Sequence, residues 1–293
     1  MRLTRAAALA TAAALAFGMT ACGGDDAGSG DTGSDSKSFE AGTTMERLNK
    51  AQAVKVGTKF DQPGFGQKGL SGKPEGFDVE IAKLIVKELG IPEDKIEYIE
   101  TPSKVREDVI VNNNVDFVVA TYTINDKRKE RIAFAGPYYE AGQNIMVKKD
   151  DTSITGPDSF KDGTKKVCSV TGSTPAEEIK KYVKDVATQL VLFDTYDKCR
   201  DALSGGQVNA VTTDNVILLG YIAKDENAFK LAGDNFTKEP YGIGVKKDDT
   251  AFRTFINDTL EKAYKDGTWK KAWDDTAGKF GAELGEAPAV NRY

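Results

Sequence analysis

Histidine is missing from the sequence, and cysteine occurs only three times among 293 residues. Without histidine, a zinc site or a catalytic triad built on that side chain is excluded, so metal or nucleophile chemistry would depend on cysteine. No run of lysine and arginine forms the basic footprint that nucleic-acid binding requires, and the net charge is −5. Beyond residue 17, no apolar run reaches the ~20 residues of a membrane span. We predict no cofactor and no nucleic-acid partner.

The first 22 residues have the parts of an export signal. Two arginines within the first five residues precede an apolar, alanine-rich run at 6–17. The pair Ala21-Cys22 resembles the lipobox of bacterial lipoproteins, in which the cysteine is lipidated and becomes the first residue, although Met19 stands where leucine is usual. We predict a signal peptide at 1–21 and lipidation of Cys22. The alternative is an ordinary signal peptide with an incidental cysteine.

Residues 22–42 consist mainly of Gly, Ser, Asp and Thr and contain almost nothing apolar. Such a segment cannot bury enough surface to fold, so it is predicted to be a flexible tether. With a lipidated cysteine at its start, the tether would hold a globular body at the extracellular face of the cell membrane.

The two remaining cysteines, Cys168 and Cys199, are expected on the exported side, where disulfides persist. A bridge between them would add roughly 3 to 4 kcal/mol in the chain-entropy model. We predict this disulfide. A reactive thiol is the alternative.

The body of the chain repeats an alternation of strand and helix patterns. The first series predicts strands at 54–58, 96–99 and 117–120 and helices at 77–89 and 103–112. The second predicts strands at 145–147, 167–170, 190–193 and 210–212, with helices opening at Thr174 and lying at 196–203 and 214–223. This alternation indicates two α/β lobes, each a doubly wound, mostly parallel sheet with helices on both faces.

After Pro240 the chain is predicted to return to the first lobe. A strand at 241–245 and helices at 252–263 and 269–273 cannot easily extend a sheet already covered by its own helices. We therefore assign 43–141 with 238–293 to lobe 1 and 142–237 to lobe 2. Two strands would then cross between the lobes and form a hinge that permits closure about a cleft.

Polar residues follow the strand predicted at 117–120. Thr121 and Thr123 carry hydroxyls and Arg128 a guanidinium, beyond the carboxyl end of a strand, where open α/β sheets bind ligands. An arginine fork can meet a carboxylate through two hydrogen bonds, and threonine hydroxyls can bond the same oxygens. The pattern predicts a carboxylate site. The alternative is that Thr123 caps a short helix and Arg128 is a solvated charge.

The second lobe offers two further strand ends. The segment Ser173–Glu177 predicts a helix start, with Thr174 as N-cap, proline next and Glu177 completing a capping box. Since helix N-termini attract anions, the same segment could bind a carboxylate. Asp214 follows the strand at 210–212, where it would either cap the next helix or accept a ligand ammonium group.

Three segments resemble one family of proteins. Gly76–Ile81, Thr123–Arg128 and Phe134–Tyr138 are similar, in order and spacing, to blocks of the extracellular solute-binding proteins that serve polar amino-acid ABC importers. The resemblance runs from about Val54 to Trp273. It implies a type II periplasmic-binding-protein-like fold, a monomer that is not an enzyme, an amino-acid ligand and an ABC permease as partner.

The same resemblance implies roles for individual residues. Arg128 would grip the ligand α-carboxylate with Thr121 and Thr123, assisted by Ser173 and Thr174. The residue matching the family's acid, Asp214, would take the α-ammonium group.

Side-chain specificity would depend on Lys59 and Arg106, which occupy positions where acidic-amino-acid binders of this family carry cations; the alternative is that both are surface charges. Gln62 and Tyr196 are further possible contacts. Three cations facing one carboxylate predict glutamate, or aspartate, because a neutral ligand would leave buried cations unpaired. The alternatives are glutamine or another polar amino acid, or an enzyme on the same scaffold.

Overall fold

The computed structural model describes residues 37–293. The predicted signal peptide, Cys22 and the first part of the predicted tether lie outside these residues. Within the described range, no helix combines the length and apolar character needed to cross a membrane.

The strands are numbered along the chain. They are β1 (Val54–Thr58), β2 (Asp61–Gln62), β3 (Gly66–Lys68), β4 (Pro74–Glu75), β5 (Ile96–Glu100), β6 (Phe117–Val118), β7 (Ile132–Ala141), β8 (Gln143–Lys148), β9 (Val167–Val170), β10 (Leu190–Phe193), β11 (Ala210–Asp214), β12 (Phe229–Leu231) and β13 (Glu239–Lys246).

The α-helices are numbered in the same way. They are α1 (Thr44–Ala51), α2 (Phe77–Glu88), α3 (Arg106–Val111), α4 (Asp126–Lys129), α5 (Thr174–Glu178), α6 (Val186–Gln189), α7 (Tyr196–Ser204), α8 (Asn215–Lys224), α9 (Thr250–Asp266) and α10 (Thr268–Asp275). Short 3₁₀ turns precede α3 at Ser103–Val105 and follow α5 at Ile179–Lys181.

Two five-stranded sheets form the two lobes, with orders β5-β1-β6-β13-β7 and β10-β9-β11-β8-β12. The predicted α/β architecture is confirmed, and each sheet is mostly parallel, since four of its five strands run in the same direction. The exceptions are β13 in the first sheet and β8 in the second, each antiparallel to both of its neighbours. Both reversed strands belong to the hinge, so their direction is set by the crossing between lobes.

The hinge consists of two paired strands. β7 ends at Ala141 in the first sheet, and β8 begins at Gln143 in the second. The chain returns through β13, in which Glu239 pairs with Ala141 across an antiparallel ladder. The two-strand connection predicted from the sequence is therefore present, while the lobe boundaries at 141 and 237 stay a prediction.

An aromatic cluster in lobe 1 packs against the hinge strands. Phe65, in the turn between β2 and β3, meets Tyr241 of β13 edge-to-face at 6.1 Å, and Tyr139 of β7 stacks on Trp273 at 4.7 Å. Gly76 lies directly behind Phe65 with φ of +133°, and an added Cβ would come within 2.3 Å of the Phe65 carbonyl oxygen. This position therefore requires glycine. The cluster holds the β2–β3 hairpin beside the junction of the lobes.

The structure contains the predicted disulfide between Cys168 in β9 and Cys199 in α7, and both residues are fully buried. The bond ties α7 to the central part of the second sheet. Tyr196, three residues before Cys199, is thereby held at the edge of the cleft.

Some elements were not expected from the sequence. Residues 37–42 were assigned to the tether, yet Phe39 packs edge-to-face on Phe255 at 5.7 Å and Lys37 pairs with Glu88 at 2.8 Å. Helix α1, strand β7 and the three-stranded hairpin sheet β2-β3-β4 were not predicted. The strand predicted at 117–120 is shorter, because the chain turns at Thr121.

Candidate functional site

A narrow cavity lies between the lobes, where strands of both sheets end. It is lined by Gln62, Ser103, Arg106, Thr121, Thr123, Ser173, Thr174, Pro175, Tyr196, Thr213, Asp214 and Ile217. The volume of this cavity is about 10 Å³, roughly what one water molecule needs. The lobes are therefore closed on each other, and a solute can enter only if they move apart.

Most of the predicted binding residues line this cavity. Two do not: Arg128 faces a wider outer groove that shares Thr123, Ser173 and Thr174 with the cavity, and Lys59 lies behind Ser103. The structure thus brings the predicted residues together but divides them between an inner cavity and its mouth.

Arg128 lies in α4, which is capped by Asn125 and not by Thr123. Its Nη1 donates to the Thr123 carbonyl at 2.7 Å, and its Nη2 reaches the Gly172 carbonyl of the other lobe at 3.2 Å. The side chain is buried, which lowers the pKa of Arg128 to about 10, with the charge of Arg106 as the next cause. The alternative of a solvated charge is wrong for this residue.

Thr121 adopts φ of +45°, in the left-handed region that a β-branched residue rarely enters. Its backbone N–H donates to Asp78 Oδ2 at 2.8 Å, and Asp78 Oδ1 accepts the Tyr138 hydroxyl at 2.5 Å. Burial raises the pKa of Asp78 to about 6. Asp78 therefore fixes the backbone of Thr121. This role was not predicted from the sequence. It could have been suspected because Asp78 is an acid on the core-facing side of the apolar helix α2.

Arg106 and Lys59 are both 2% exposed, so neither is a surface charge. Arg106 Nη1 donates to the Ala120 carbonyl at 2.8 Å, its guanidinium lies 4.1 Å from the Tyr122 ring centroid, and its Nε has no partner among the described residues. Lys59 Nζ donates to Ser103 Oγ at 2.9 Å. Burial and then the charge of Arg106 lower the pKa of Lys59 to about 8.

Within residues 37–293, neither of these cations has a carboxylate oxygen within 4.0 Å of its nitrogens. Buried charges are normally paired because desolvation is costly. Arg106 therefore gives the cavity a positively charged end, with Lys59 behind Ser103, and an anionic group would stabilise both charges.

The second-lobe side of the cavity is organised by helix α5. Ser173 is its N-cap and accepts the Ala176 N–H at 3.1 Å, so the prediction that Thr174 is the cap is wrong. Because the helix begins one residue earlier than expected, Glu177 cannot complete a capping box. Thr174 is left free to reach across the cleft, where its Oγ1 lies 3.2 Å from Thr123 Oγ1.

Asp214 ends β11 and makes no side-chain cap to α8. Its Oδ2 accepts the Tyr241 hydroxyl at 2.6 Å, while its buried Oδ1 has no partner among the described residues. Burial raises the pKa of Asp214 to about 8, and the nearby charge of Glu239 acts in the same direction. The unpartnered oxygen is an acceptor suited to a cationic group. Of the two roles predicted for Asp214, this favours accepting a ligand ammonium group over capping α8.

Asp61, in the β2–β3 hairpin of lobe 1, accepts two hydrogen bonds from lobe 2. Its Oδ2 accepts the backbone N–H of Tyr196 at 2.7 Å at the start of α7, and its carbonyl oxygen accepts the Tyr221 hydroxyl at 2.5 Å. Thr195, the N-cap of that helix, makes no side-chain cap of its own. The cap of a second-lobe helix is thus supplied by the first lobe, and it exists only when the lobes are together.

The predicted balance of three cations against one carboxylate is wrong for the site as a whole. Four more carboxylates, none of them fully exposed, lie nearby: Asp61, Asp78, Glu107 and Glu239. Of all these acids, however, only Asp214 lines the inner cavity, which Arg106 also lines. The preference for an anionic ligand therefore has to be argued from the contacts of each charged residue and not from the total charge of the site.

Two α/β lobes joined by paired hinge strands, with a polar cavity closed between them, define a two-lobed binding protein of the type II periplasmic class. The chain belongs to the bacterial extracellular solute-binding proteins, family 3, whose model matches residues 54–275. The protein therefore works outside the cytoplasm.

Several known proteins are similar to this chain. The glutamate-binding protein GluB of Corynebacterium efficiens is 39% identical, and the match covers 94% of this chain and 92% of that protein. The glutamine-binding protein GlnH of an ABC transporter of Bacillus subtilis is 36% identical, covering 87% and 90%. A solved structure of an ancestral arginine-binding protein bound to glutamine is 35% identical, with a TM-score of 0.71 and coverage of 77% of this chain and 97% of that one.

The buried carboxyl of Asp214 predicts a specific pH dependence of stability. An exposed aspartate has a pKa of about 3.9, whereas that of Asp214 in the closed protein is about 8. Between these values the folded chain holds a proton that the unfolded chain lacks, so stability falls as the pH rises toward 8. Asp214→Asn should therefore abolish this contribution to the fall of the thermal midpoint with rising pH, measured on the ligand-free protein.

The comparison is most informative between pH 6 and 8, because Asp78 contributes a slope of the same sign below its own pKa of about 6. Asp94→Asn, a change at an exposed carboxylate, is the control. Parallel slopes for Asp214→Asn and the wild type between pH 6 and 8 would contradict the assignment.

Proposed function

We propose that this protein captures an acidic amino acid outside the cell, with glutamate as the first choice and aspartate as the second, and delivers it to an ABC permease. The observation that carries the proposal is the pair Lys59 and Arg106, two buried cations without a carboxylate partner in the described chain. A ligand side-chain carboxylate would neutralise them. A neutral side chain would leave them desolvated, which is costly.

The names of the relatives support an amino-acid ligand and leave its side chain to be decided. GluB is named for glutamate and GlnH for glutamine, at 39% and 36% identity. The unpartnered Nε of Arg106 favours glutamate, because an amide offers the guanidinium one neutral oxygen where a carboxylate offers two charged ones.

The ligand backbone would lie between the lobes. Its α-carboxylate would bond Arg128 and the hydroxyls of Thr121 and Thr123, with Ser173 and Thr174 completing the contact from the second lobe. Its ammonium group would bond the free Oδ1 of Asp214, and Tyr196 would line the wall beside it. The side chain would then extend toward Arg106, with Lys59 behind it.

Closure follows from the division of these contacts between the lobes. A ligand bound to Arg128 alone gains the contacts of the second lobe only when the cleft closes, so it shifts the equilibrium toward the closed form. One chain supplies both halves of the site, and we expect a monomer. Binding and release require no covalent step.

Arg128→Ala should weaken glutamate binding by about 2 to 5 kcal/mol, because the ligand carboxylate would be buried without its cation. Arg131→Ala is the matched control: Arg131 lines the same outer groove, but it is half-exposed and paired with Asp108 at 2.6 Å. Isothermal titration calorimetry measures both. Near-wild-type affinity in Arg128→Ala would overturn the placement of the α-carboxylate.

Arg106→Met should lower the affinity for glutamate by about 1.5 to 3 kcal/mol, the worth of a charged hydrogen bond, and change that for glutamine much less. Lys59→Met should have a smaller effect, since Lys59 does not line the cavity. Titration of each variant with both amino acids gives the ratio of its affinities for glutamate and glutamine. An unchanged ratio in Arg106→Met would move side-chain recognition elsewhere, and tighter binding of glutamine by the wild type would make glutamine the ligand.

We also propose that the protein is held at the membrane surface by lipid on Cys22, which lies outside the described residues. The support is the order of charged start, apolar run and Ala21-Cys22 in the sequence. In cells, the wild type should sediment with membranes and Cys22→Ser should appear in the medium or a soluble fraction. Membrane association of Cys22→Ser equal to that of the wild type would exclude this anchor.

A further inference from the structure

Glu107 lies against the cation assigned to the ligand α-carboxylate. Its Oε1 is 3.2 Å from Arg128 Nε, with side chains 16% and 7% exposed. Glu239 is the other acid whose charge reaches Arg128, but its two oxygens already accept the hydroxyls of Thr174 and Thr237 at 2.8 and 3.0 Å. Glu107 is therefore the carboxylate that occupies Arg128 directly.

This ion pair conflicts with ligand binding. Two of the five N–H donors of Arg128 are used by the carbonyls of Thr123 and Gly172. Glu107 takes the position beside Nε, on the edge where a guanidinium can offer paired donors to a carboxylate. A ligand carboxylate must share the cation with Glu107 or displace it, and two carboxylates close together in a desolvated site repel each other.

A displaced Glu107 has an acceptor role available nearby. Tyr122 lies under Arg128, 4.9 Å from its guanidinium carbon, and the Tyr122 hydroxyl is buried without a hydrogen-bond partner among the described residues. Burial raises the pKa of Tyr122, Arg106 opposes this, and both the charge of Glu107 and its approach to the Tyr122 hydroxyl raise the pKa further, so the two groups are already close. A shift of Glu107 from Arg128 to Tyr122 would satisfy that hydroxyl.

From these contacts we infer that Glu107 is an internal competitor of the ligand: it neutralises Arg128 in the ligand-free protein and is displaced by the α-carboxylate. The inference rests on the proposed function, since Glu107 can compete with a ligand only if Arg128 binds the ligand α-carboxylate. Glu107 thereby sets the affinity for every amino acid that the cleft accepts and leaves the choice among side chains to Arg106.

Glu107→Gln tests the inference, with Asp108→Asn as its matched control. Both changes remove one negative charge from α3, but Asp108 is exposed and pairs with Arg131. The full chain of each variant is first screened against the twenty amino acids by thermal shift, and ligands that bind the wild type are titrated by calorimetry. Glu107→Gln should bind about tenfold more tightly than Asp108→Asn, the direction expected when a like charge is removed. The factor should be the same for each ligand.

Stability separates this role from a purely structural one. Without ligand, Glu107→Gln should have a lower thermal midpoint than the wild type because Arg128 loses its partner, and ligand should raise the midpoint by more than in the wild type. Tyr122→Phe should weaken binding in the wild type and have no effect in the Glu107→Gln background.

A Glu107→Gln variant that binds no tighter than Asp108→Asn, or more weakly, would overturn the inference and show that Glu107 orients Arg128. The proposed function would survive that result. If the wild type bound no amino acid at all, the proposed function would fail, and this inference with it.

Discussion

The closed cleft brings cations out of water, and the rest of the site is arranged around that constraint. Arg106 and Lys59 are held by a carbonyl and a hydroxyl, which keep their positions but do not neutralise them. Arg128 alone has a carboxylate beside it. Because a buried charge without a counter-charge is costly, an anion between the lobes would stabilise the closed form. Under the proposed function, the same arrangement that disfavours empty closure would favour closure on an anionic ligand.

Supporting residues place these charges with hydrogen bonds that are far apart in sequence. Asp78 in α2 fixes the unusual backbone of Thr121, and Asp61 in the hairpin caps α7 of the opposite lobe. Such contacts explain why acids surround a site that we propose for an anion: they accept hydrogen bonds from backbone N–H groups and from the lobe junction. Their raised pKa values reflect burial, which is tolerated because each carboxylate has protein donors.

Much of the fold could be predicted because hydrophobic periodicity reports local structure. Helix α2 and the strands β1, β5 and β9 follow directly from their patterns, and strand ends pointed to Thr121, Thr123 and Asp214. The start of α5 was misplaced by one residue, since Ser173 and Thr174 are both good caps and only the backbone path chooses between them. The reversal of β8 and β13 within otherwise parallel sheets was not predicted, because their direction depends on the hinge, which no local pattern encodes.

The sequence by itself determined the α/β class, the return of the chain to the first lobe, the disulfide pair and the set of side chains near the cleft. All of these rest on periodicity, on residue chemistry and on likeness to a family. Only the tertiary structure decided which of those side chains face the cavity, which cations lack a carboxylate and that Glu107 pairs with Arg128. Burial and pairing depend on distances between segments remote in the chain, and these distances exist only once the lobes have packed.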